Sequence, residues 1–485
     1  MQLDGRRYAS VRTRFRTSAI DPDVARAVEL DVAGRRTEAT ALARAVLQRT
    51  PSSVEARCVL ATIALRDGSA STAGALLRQA CVLEPSYPQV HYYLALWRPD
   101  RGDIPGMESS LARARQLLGT GSRMATSLEA FAGAWRWLSD RRVPSMPLRS
   151  TSRSSEPGST RWLFVWRDLE EFLDHFDQAQ VGGRSTFRLP KRDQGPSSDP
   201  SEQLLRYCKD VDPEIVVFLP GTAQHRNPTL GVFRQLRAQG IPTVLFVADL
   251  RKALWQGVAN RVADAFDLVL PIDGCSLESL PSLRHLGRRF FRGWSPISPG
   301  NVPPFATRRS CVNLVGSLWG ERVHGVQALR NAGIEVITRP PAIEGHRDPN
   351  LPAHKTLSTA TYLDSLRQAQ LTVNYSACST GDGHQLKGRV LEAAACGSML
   401  LESANDVTCD FFEEGREYVS FDGAADLVEK VRYFLAHPER AAEIAANATS
   451  RFLRDYTATT FWTRVLAAAR ENNASIESAR RRLHP

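Results

Sequence analysis

The chain lacks any apolar run long enough to span a bilayer; its longest candidates, such as Ile215–Pro220 and Val244–Val247, have the length of buried strands. The basic N-terminus, MQLDGRRYASVRTRFRTS, has no apolar stretch behind it, so no secretory leader is expected. No two of the eight cysteines (Cys58, Cys81, Cys208, Cys275, Cys311, Cys378, Cys396 and Cys409) form a C-x-x-C pair, which argues against a zinc site. They are scattered through core-like segments of a large chain. That pattern reads as reduced thiols, and a cytoplasmic location is expected. A nucleic-acid signature is missing too. The net charge is +10, from 62 Lys+Arg against 52 Asp+Glu, yet the excess is mostly arginine spread along the chain, with no aromatic–basic interleaving. Such a balance suits a phosphate-bearing small ligand better than a nucleic acid.

What is present is a chain of 485 residues with 42% hydrophobic and 24% charged residues, the balance of a globular protein. Single cores stop growing at about 250–300 residues, so two or three domains are expected. The first 140 residues carry an internal period. Gly34, Gly68 and Gly102 recur at a fixed interval, and Pro51 and Pro85 share it. Small or apolar residues follow in register: Ala39, Ala73 and Met107; Ala43, Leu77 and Leu111; Val46, Ala80 and Ala114. This resembles the tetratricopeptide (TPR) repeat, a helix–turn–helix of ~34 residues. Glycine would turn the chain between two helices, and proline would end the second, having no N–H to donate. The third copy departs, with Gly119 where proline would stand, and a further helix over Thr126–Leu138 is expected to cap the stack. Such a stack either binds peptide on its concave face or packs as an appendage on the next domain. Residues 141–160 are rich in Ser and Pro and read as a linker.

From Arg161 short apolar runs alternate with amphipathic segments, the pattern of parallel sheets with crossover helices. The expected fold class is α/β, two Rossmann-like domains preceded by an all-α repeat module. The first Rossmann-like domain is expected over 161–300, with strands at Arg161–Trp166, Glu214–Leu219, Ile241–Val247 and Phe266–Leu270. A Pro/Gly-rich stretch, Ser295–Pro304, reads as a hinge. The second domain is expected over 301–485, with strands at Cys311–Val315, Ile334–Thr338, Leu371–Ser376, Ser398–Glu402 and Tyr418–Phe421. In open α/β sheets ligands sit beyond the carboxyl ends of the strands, so the reactive groups should lie in the loops that follow them.

Two motifs carry a resemblance. Asn313–Leu–Val–Gly316–Ser317, with Arg322 behind it, is similar to the first strand–loop of a nucleotide-binding domain of the GT-B glycosyltransferases. Arg389–Val–Leu–Glu392–Ala–Ala–Ala–Cys396–Gly397 resembles the R-x-x-E-x-x-A-C-G signature of the spore-maturation, CgeB-like branch of group 1 glycosyltransferases. Phe411–Gly415, Glu417–Val419 and Leu435–Arg440 resemble the tail of that branch. The likeness is dense over Asn313–Arg470 and thin over Arg161–Gly300. It implies sugar transfer from a nucleotide-sugar donor.

The chemistry of the residues points the same way. Gly316 allows close backbone approach, and Arg322, Lys387 and Arg389 are candidates to neutralise a departing diphosphate. The resemblance gives Glu392 the donor ribose hydroxyls; the alternative is a surface glutamate paired with Arg389 at i−3. Ser317 and Asn374 are expected among the donor contacts, with Ser376 and a stacking Trp319 as lesser candidates. Related retaining enzymes carry a second glutamate eight residues before the first, where this chain has His384, so the stereochemical course stays open. His225 and Asp249, in loops after strands of the first half, are candidate general bases together with His384, or else structural polar residues. No D-x-D motif stands in a loop of the second half, so neither a metal nor another cofactor is expected. The expected partners are a nucleotide-sugar donor and a protein or peptide acceptor reached through the repeats. Two rival readings use the same architecture: a non-catalytic binding or assembly module, and a sugar epimerase.

Overall fold

The computed structural model describes residues 21–32, 35–66, 69–98, 103–118, 159–166, 170–189, 199–220, 227–247, 250, 259–260, 262–316, 321–338, 359–377 and 383–483. Gly34, Gly68, Gly102, the expected helix Thr126–Leu138 and most of the expected linker lie outside these residues.

The first described residues form helices α1 (Pro22–Val32), α2 (Arg36–Arg49), α3 (Val54–Arg66), α4 (Ala70–Leu83), α5 (Pro88–Trp97) and α6 (Ile104–Leu118). They pack as hairpins, α1 on α2, α3 on α4 and α5 on α6. The residues read as one register on α2, α4 and α6 (Ala39, Ala73, Met107; Ala43, Leu77, Leu111; Val46, Ala80, Ala114) are all buried. Pro51 and Pro85 stand directly after the C-caps Thr50 and Glu84, whose N–H groups close the last turns onto Val46 and Ala80. The inner helices α3 and α5 have no exposed residue among those whose side chains are described. The core of α3–α6 continues without a break into one face of the first sheet, through Leu163, Val165, Phe218, Leu245 and Val247.

That sheet contains β1 (Arg161–Trp166), β2 (Gly183–Arg188), β3 (Ile215–Phe218), β4 (Thr243–Val247) and β5 (Leu268–Pro271), all parallel, in the order β2-β1-β3-β4-β5. Helices α7 (Glu170–Ala179), α8 (Pro200–Val211) and α9 (Leu230–Ala238) connect its strands. Side chains alternate between faces with period two, so Leu163 and Val165 meet the helical module, while Trp162, Phe164 and Trp166 face the other way. The second sheet contains β6 (Arg309–Asn313), β7 (Val336–Ile337), β8 (Ala369–Asn374), β9 (Met399–Ser403) and β10 (Val419–Phe421), again parallel, in the order β10-β9-β8-β6-β7. It is wrapped by α10 (Glu321–Asn331), α11 (Thr359–Gln368), α12 (Gly388–Cys396), α13 (Gly423–Ala436) and α14 (Pro438–Asp455). The architecture is α/β with two parallel sheets behind a helical N-terminal region. In the second sheet the chain steps from β6 out to β7 and then returns to the far side of β6 as β8. The topological switch point therefore lies between β6 and β8.

The last helix, α15 (Ala458–Leu483), belongs to the second half in sequence but packs on the first sheet. Trp462 sits edge-on against Trp162, Phe164 and Phe176 with ring centroids 5.6, 5.5 and 5.5 Å away. Asn473 donates to Asp267 (3.2 Å) and Asn472 to the Arg288 carbonyl (3.1 Å). The chain thus crosses between halves twice, and the crossings pair: Ile297 bridges Thr457, and the Ala458 N–H donates to the Ile297 carbonyl at 2.8 Å. Among the described residues no helix is long and apolar enough to cross a membrane.

Candidate functional site

A cavity of ≈ 380 Å³ opens at the β6/β8 switch point. Gly316, just past β6, and Asn374, the last residue of β8, form its floor. Arg322 comes from α10, Tyr362 from α11, and Lys387, Gly388, Arg389 and Glu392 from the start of α12. Phe172 and His175 of α7 and the hinge residues Ser295–Ile297 close it from the first half. Gly316, Arg322, Asn374, Lys387, Arg389 and Glu392, scattered over the sequence, are thus brought to one place. Ser317, Trp319, His225 and Asp249 lie outside the described residues.

The fold holds the cations by exact complementarity of small and large groups. Gly316 has φ +141, a region that L side chains rarely adopt, and a Cβ there would lie 2.8 Å from Nη2 of Arg389. That guanidinium donates to the Val315 carbonyl, and its Nε donates to the Tyr362 hydroxyl at 3.3 Å. The Tyr362 hydroxyl in turn donates to Glu392. Tyr362 therefore stands between Arg389 and Glu392, so the glutamate is not simply a surface partner of the arginine one turn before it. Burial works against the Arg389 charge, but Tyr362, Glu392 and Glu402 outweigh it and raise its affinity for the proton. Burial lowers Arg322 to about 10, and the like charge of Arg389 adds to that. Two half-buried guanidinium groups, one of which lowers the proton affinity of the other, with Lys387 beside them at the N-cap of α12, make a site that an anion would relieve. The α12 N-terminus adds N–H groups that point outward with no helical partner.

Several residues of the site were not expected from the sequence. Tyr362 is one, and His175 another. His175 is buried, its Nδ1 accepts the Ser298 N–H (3.1 Å), and Ser298 Oγ donates to the His175 carbonyl (2.9 Å). With Nδ1 accepting, the proton sits on Nε2, and burial holds the pKa below that of a free imidazole. The third is Glu402 near the end of β9. It is fully buried, and its Oε2 accepts from Asn374 Nδ2 at 2.8 Å. With its amide NH₂ committed there, Asn374 has its carbonyl oxygen left to offer a ligand. Burial pushes the Glu402 carboxyl up to about 8, while Asn374, Arg389, Arg322 and Lys387 pull it back down.

His384 does not line this cavity. It bridges to Ala377, its Nδ1 lies 3.4 Å from Asp406, and it borders a neighbouring depression of ≈ 440 Å³ with Glu321, His324, Tyr375 and Asp422. The position where related retaining enzymes carry their second glutamate therefore lies outside the cavity lining. Ser376 hydrogen-bonds Ser403 at the same end of β8 (3.0 Å) and is likewise not part of the cavity lining. Among the described residues no group of His, Cys, Asp and Glu is arranged to hold a metal ion.

Residues 308–467, which supply every cavity residue of the second half, match the family model described as glycosyl transferase-like. Residues 308–467 thus form a glycosyl transferase-like domain. The match begins at the edge of β6 and ends inside α15, so it covers the second sheet, its helices and the return crossing. Curated proteins give no match. Among solved structures, an O-GlcNAc transferase of Thermobaculum terrenum aligns at 14% identity and a TM-score of 0.39, over 97% of this chain and 99% of that one. HepE of Anabaena, in complex with UDP-glucose, aligns at 11% identity and a TM-score of 0.44, over 66% and 99%. An alpha-glucosyltransferase in complex with UDP-glucose and DNA aligns at 11% identity and a TM-score of 0.45, over 64% and 99%. Likeness this remote does not carry chemistry from one chain to another.

Proposed function

We propose that the protein is a GT-B glycosyltransferase of the CgeB-like branch, transferring a sugar from a nucleotide-sugar donor seated in the β6/β8 cavity. The observation that carries this is the convergence of Arg322, Lys387, Arg389 and the α12 N-terminus on one cavity within the family-matched segment. When the bond between sugar and diphosphate breaks, negative charge develops on the leaving oxygen. Fixed cations and N–H dipoles next to it lower the barrier without reorganising. Glu392, held by Tyr362, is placed to accept hydrogen bonds from the donor's ribose hydroxyls, and Asn374 offers its carbonyl oxygen. The acceptor enters from the first half, past Phe172 and His175, and Asp249 is the favoured general base. No metal takes part in this reading, because the cations supply the positive charge. The described cysteines are all free thiols, in keeping with an enzyme of the reducing cytoplasm.

The test is thermal-shift screening against UDP, GDP, ADP and dTDP sugars, with Arg389→Ala and Glu392→Ala alongside. A rise with one donor, lost in both variants, supports the reading. No shift with any donor would remove it. We read the N-terminal hairpins as TPR-like repeats that recruit a protein or peptide acceptor. Since α3 and α5 are buried, the surface they offer is that of α2, α4 and α6, where Val82 is 82% exposed. Val82→Asp should then lower acceptor modification and leave donor hydrolysis unchanged; equal modification would remove the recruiting role.

One observation favours a second reading. His384, which stands where related retaining enzymes carry their second glutamate, does not line the cavity. A binding or assembly module that holds the nucleotide without turnover would show this. Release of labelled sugar from the donor decides between the two.

A further inference from the structure

The buried acid behind the cavity is not needed to bind a donor by contact, and its surroundings ask for another role. Glu402 is 0% exposed, yet it carries only one hydrogen bond among the described residues, from Asn374 to Oε2. Its Oε1 is buried with no partner. An ionised carboxylate in such a place is costly unless nearby charge compensates. The compensation comes from the cavity: Arg322 of α10 and Lys387 and Arg389 of α12 all favour the charged form of Glu402, and all three line the wall where Asn374 sits. Lys430 of α13, which donates to the Ser420 carbonyl of β10 (2.8 Å), is already paired with Asp426 (2.8 Å). On β10 the residue opposite Glu402 is Ser420, and Tyr418 nearby is pushed upward mainly by burial, with Glu414, Cys409 and Glu402 adding to it. Helix α14 buries only Ala441, Ile444, Ala445, Ala448 and Phe452. Three cations thus serve two masters, a buried carboxylate behind the wall and whatever anion enters in front of it.

We propose that Glu402 is a positioning residue for the donor diphosphate. Where it is ionised in the ligand-free protein it balances Arg322, Lys387 and Arg389, and there it takes up a proton from solvent when a diphosphate claims those cations. The inference rests on the reading of the cavity as a nucleotide-sugar site. It adds that donor binding is linked to proton uptake by a residue the donor does not touch. The sign follows from linkage. A ligand whose charge raises the affinity of Glu402 for a proton is itself bound more weakly as pH rises through the ligand-free pKa, about 8. Protonated Glu402 keeps one oxygen to accept the Asn374 amide, so the floor of the cavity is unchanged while the net charge around the diphosphate becomes more positive. When the diphosphate leaves, the cations return and the proton is released.

The experiment is calorimetric titration of the full chain and of Glu402→Gln with UDP, GDP, ADP and dTDP in turn, at pH 8, in buffers of different ionisation enthalpy. The last phosphate pKa lies near ~6, so these ligands are already ionised at pH 8 and their own protonation is a small correction. The wild type should take up roughly half a proton per bound nucleotide, since the ligand-free acid is then half titrated, at about 8. Its affinity should fall by roughly tenfold between pH 7 and pH 9. Glu402→Gln, a neutral mimic of the protonated acid, should take up none and bind with an affinity that is flat over the same range. If this variant does not fold, proton uptake by the wild type at pH 8 decides alone. A nucleotide that binds both proteins with the same proton count and pH profile overturns the role of Glu402 and leaves the donor site standing. Absence of binding by any of the four nucleotides to either protein overturns both.

Discussion

Replacing Gly316 by alanine tests how the cavity is held together, because the glycine touches no ligand through a side chain of its own. The new Cβ would lie 2.8 Å from Nη2 of Arg389. Ordinary contact is ~3.5–4.0 Å, so the guanidinium has to retreat by about 1 Å. That takes it away from the Val315 carbonyl and the Tyr362 hydroxyl, its two neighbours in the wall. Each hydrogen bond to a charged group contributes roughly 1.5–3 kcal/mol, and a non-glycine backbone in a sparsely populated region costs about 1–3 kcal/mol. A retreat that partly keeps one bond gives an expected destabilisation of about 2–4 kcal/mol, seen in a chain of 485 residues as a melting temperature lower by roughly 2–4 °C. Nucleotide binding should suffer separately. Arg389 displaced from the diphosphate forfeits a charge-assisted contact of about 1.5–3 kcal/mol, so the Kd should rise by roughly 10- to 100-fold. The assay is calorimetry or thermal shift with the best-binding nucleotide. The decisive arm is the double variant. Since Gly316→Ala acts through Arg389, adding it to Arg389→Ala should weaken binding no further. Additive losses, or a Gly316→Ala protein that binds within twofold of wild type, would refute the reasoning.

Other outcomes follow from the packing. Trp462→Ala removes a fully buried ring from the cluster with Trp162, Phe164 and Phe176 and should cost about 3–5 kcal/mol in denaturant titration, even though the residue lies in the second half of the sequence. Neutral His175 is favoured in the folded state, its pKa being lowered by burial, so its contribution is fully present above the unfolded value of ~6.5 and is lost as pH falls below it towards the folded value. Stability measured at pH 7 and pH 5.5 should therefore drop more for wild type than for His175→Asn; equal drops would discount the Ser298 contact. Removing residues 1–118 uncovers the face of the first sheet that α3–α6 cover, so the truncated chain should be poorly soluble and melt lower. A truncated chain that melts at the wild-type temperature would show that the two cores are separable.

The parts of the molecule that could be read from sequence are those where one residue's neighbours in the chain are also its neighbours in space. The helical register showed because Ala43, Leu77 and Leu111 repeat a packing position with a fixed period. Strand β1 showed because RWLFVW is buried on both faces. Strand β2, GRSTFR, was missed; it pairs only with β1, at the sheet edge, and its half-exposed residues leave no apolar signal. The cavity residues Lys387, Arg389 and Glu392 were legible because they stand in a single short motif at the start of one helix. Tyr362 and His175 were not, since each reaches the cavity from a helix whose periodicity says only that one side is buried. Glu402 left a trace that went unused, an acidic residue at the end of the apolar run MLLE, where burial on both faces is expected. The pairing of α15 with the first sheet joins positions 310 residues apart, as Arg470 to Thr160 shows, and no local pattern records it.

That return has a consequence for how the protein is made. A ribosome delivers the first sheet with Trp162, Phe164 and Phe176 already in place, but the ring that covers them, Trp462, comes roughly 300 residues later, a delay of roughly 15–60 s at ~5–20 residues per second. For that interval the nascent chain exposes an aromatic face that the finished enzyme buries completely. The second sheet, whose strands and helices are contiguous in sequence, can close on its own during the same interval. Completion of the first domain thus waits for α15, and a chain that stops short of α15 forfeits the older domain, not the newer one.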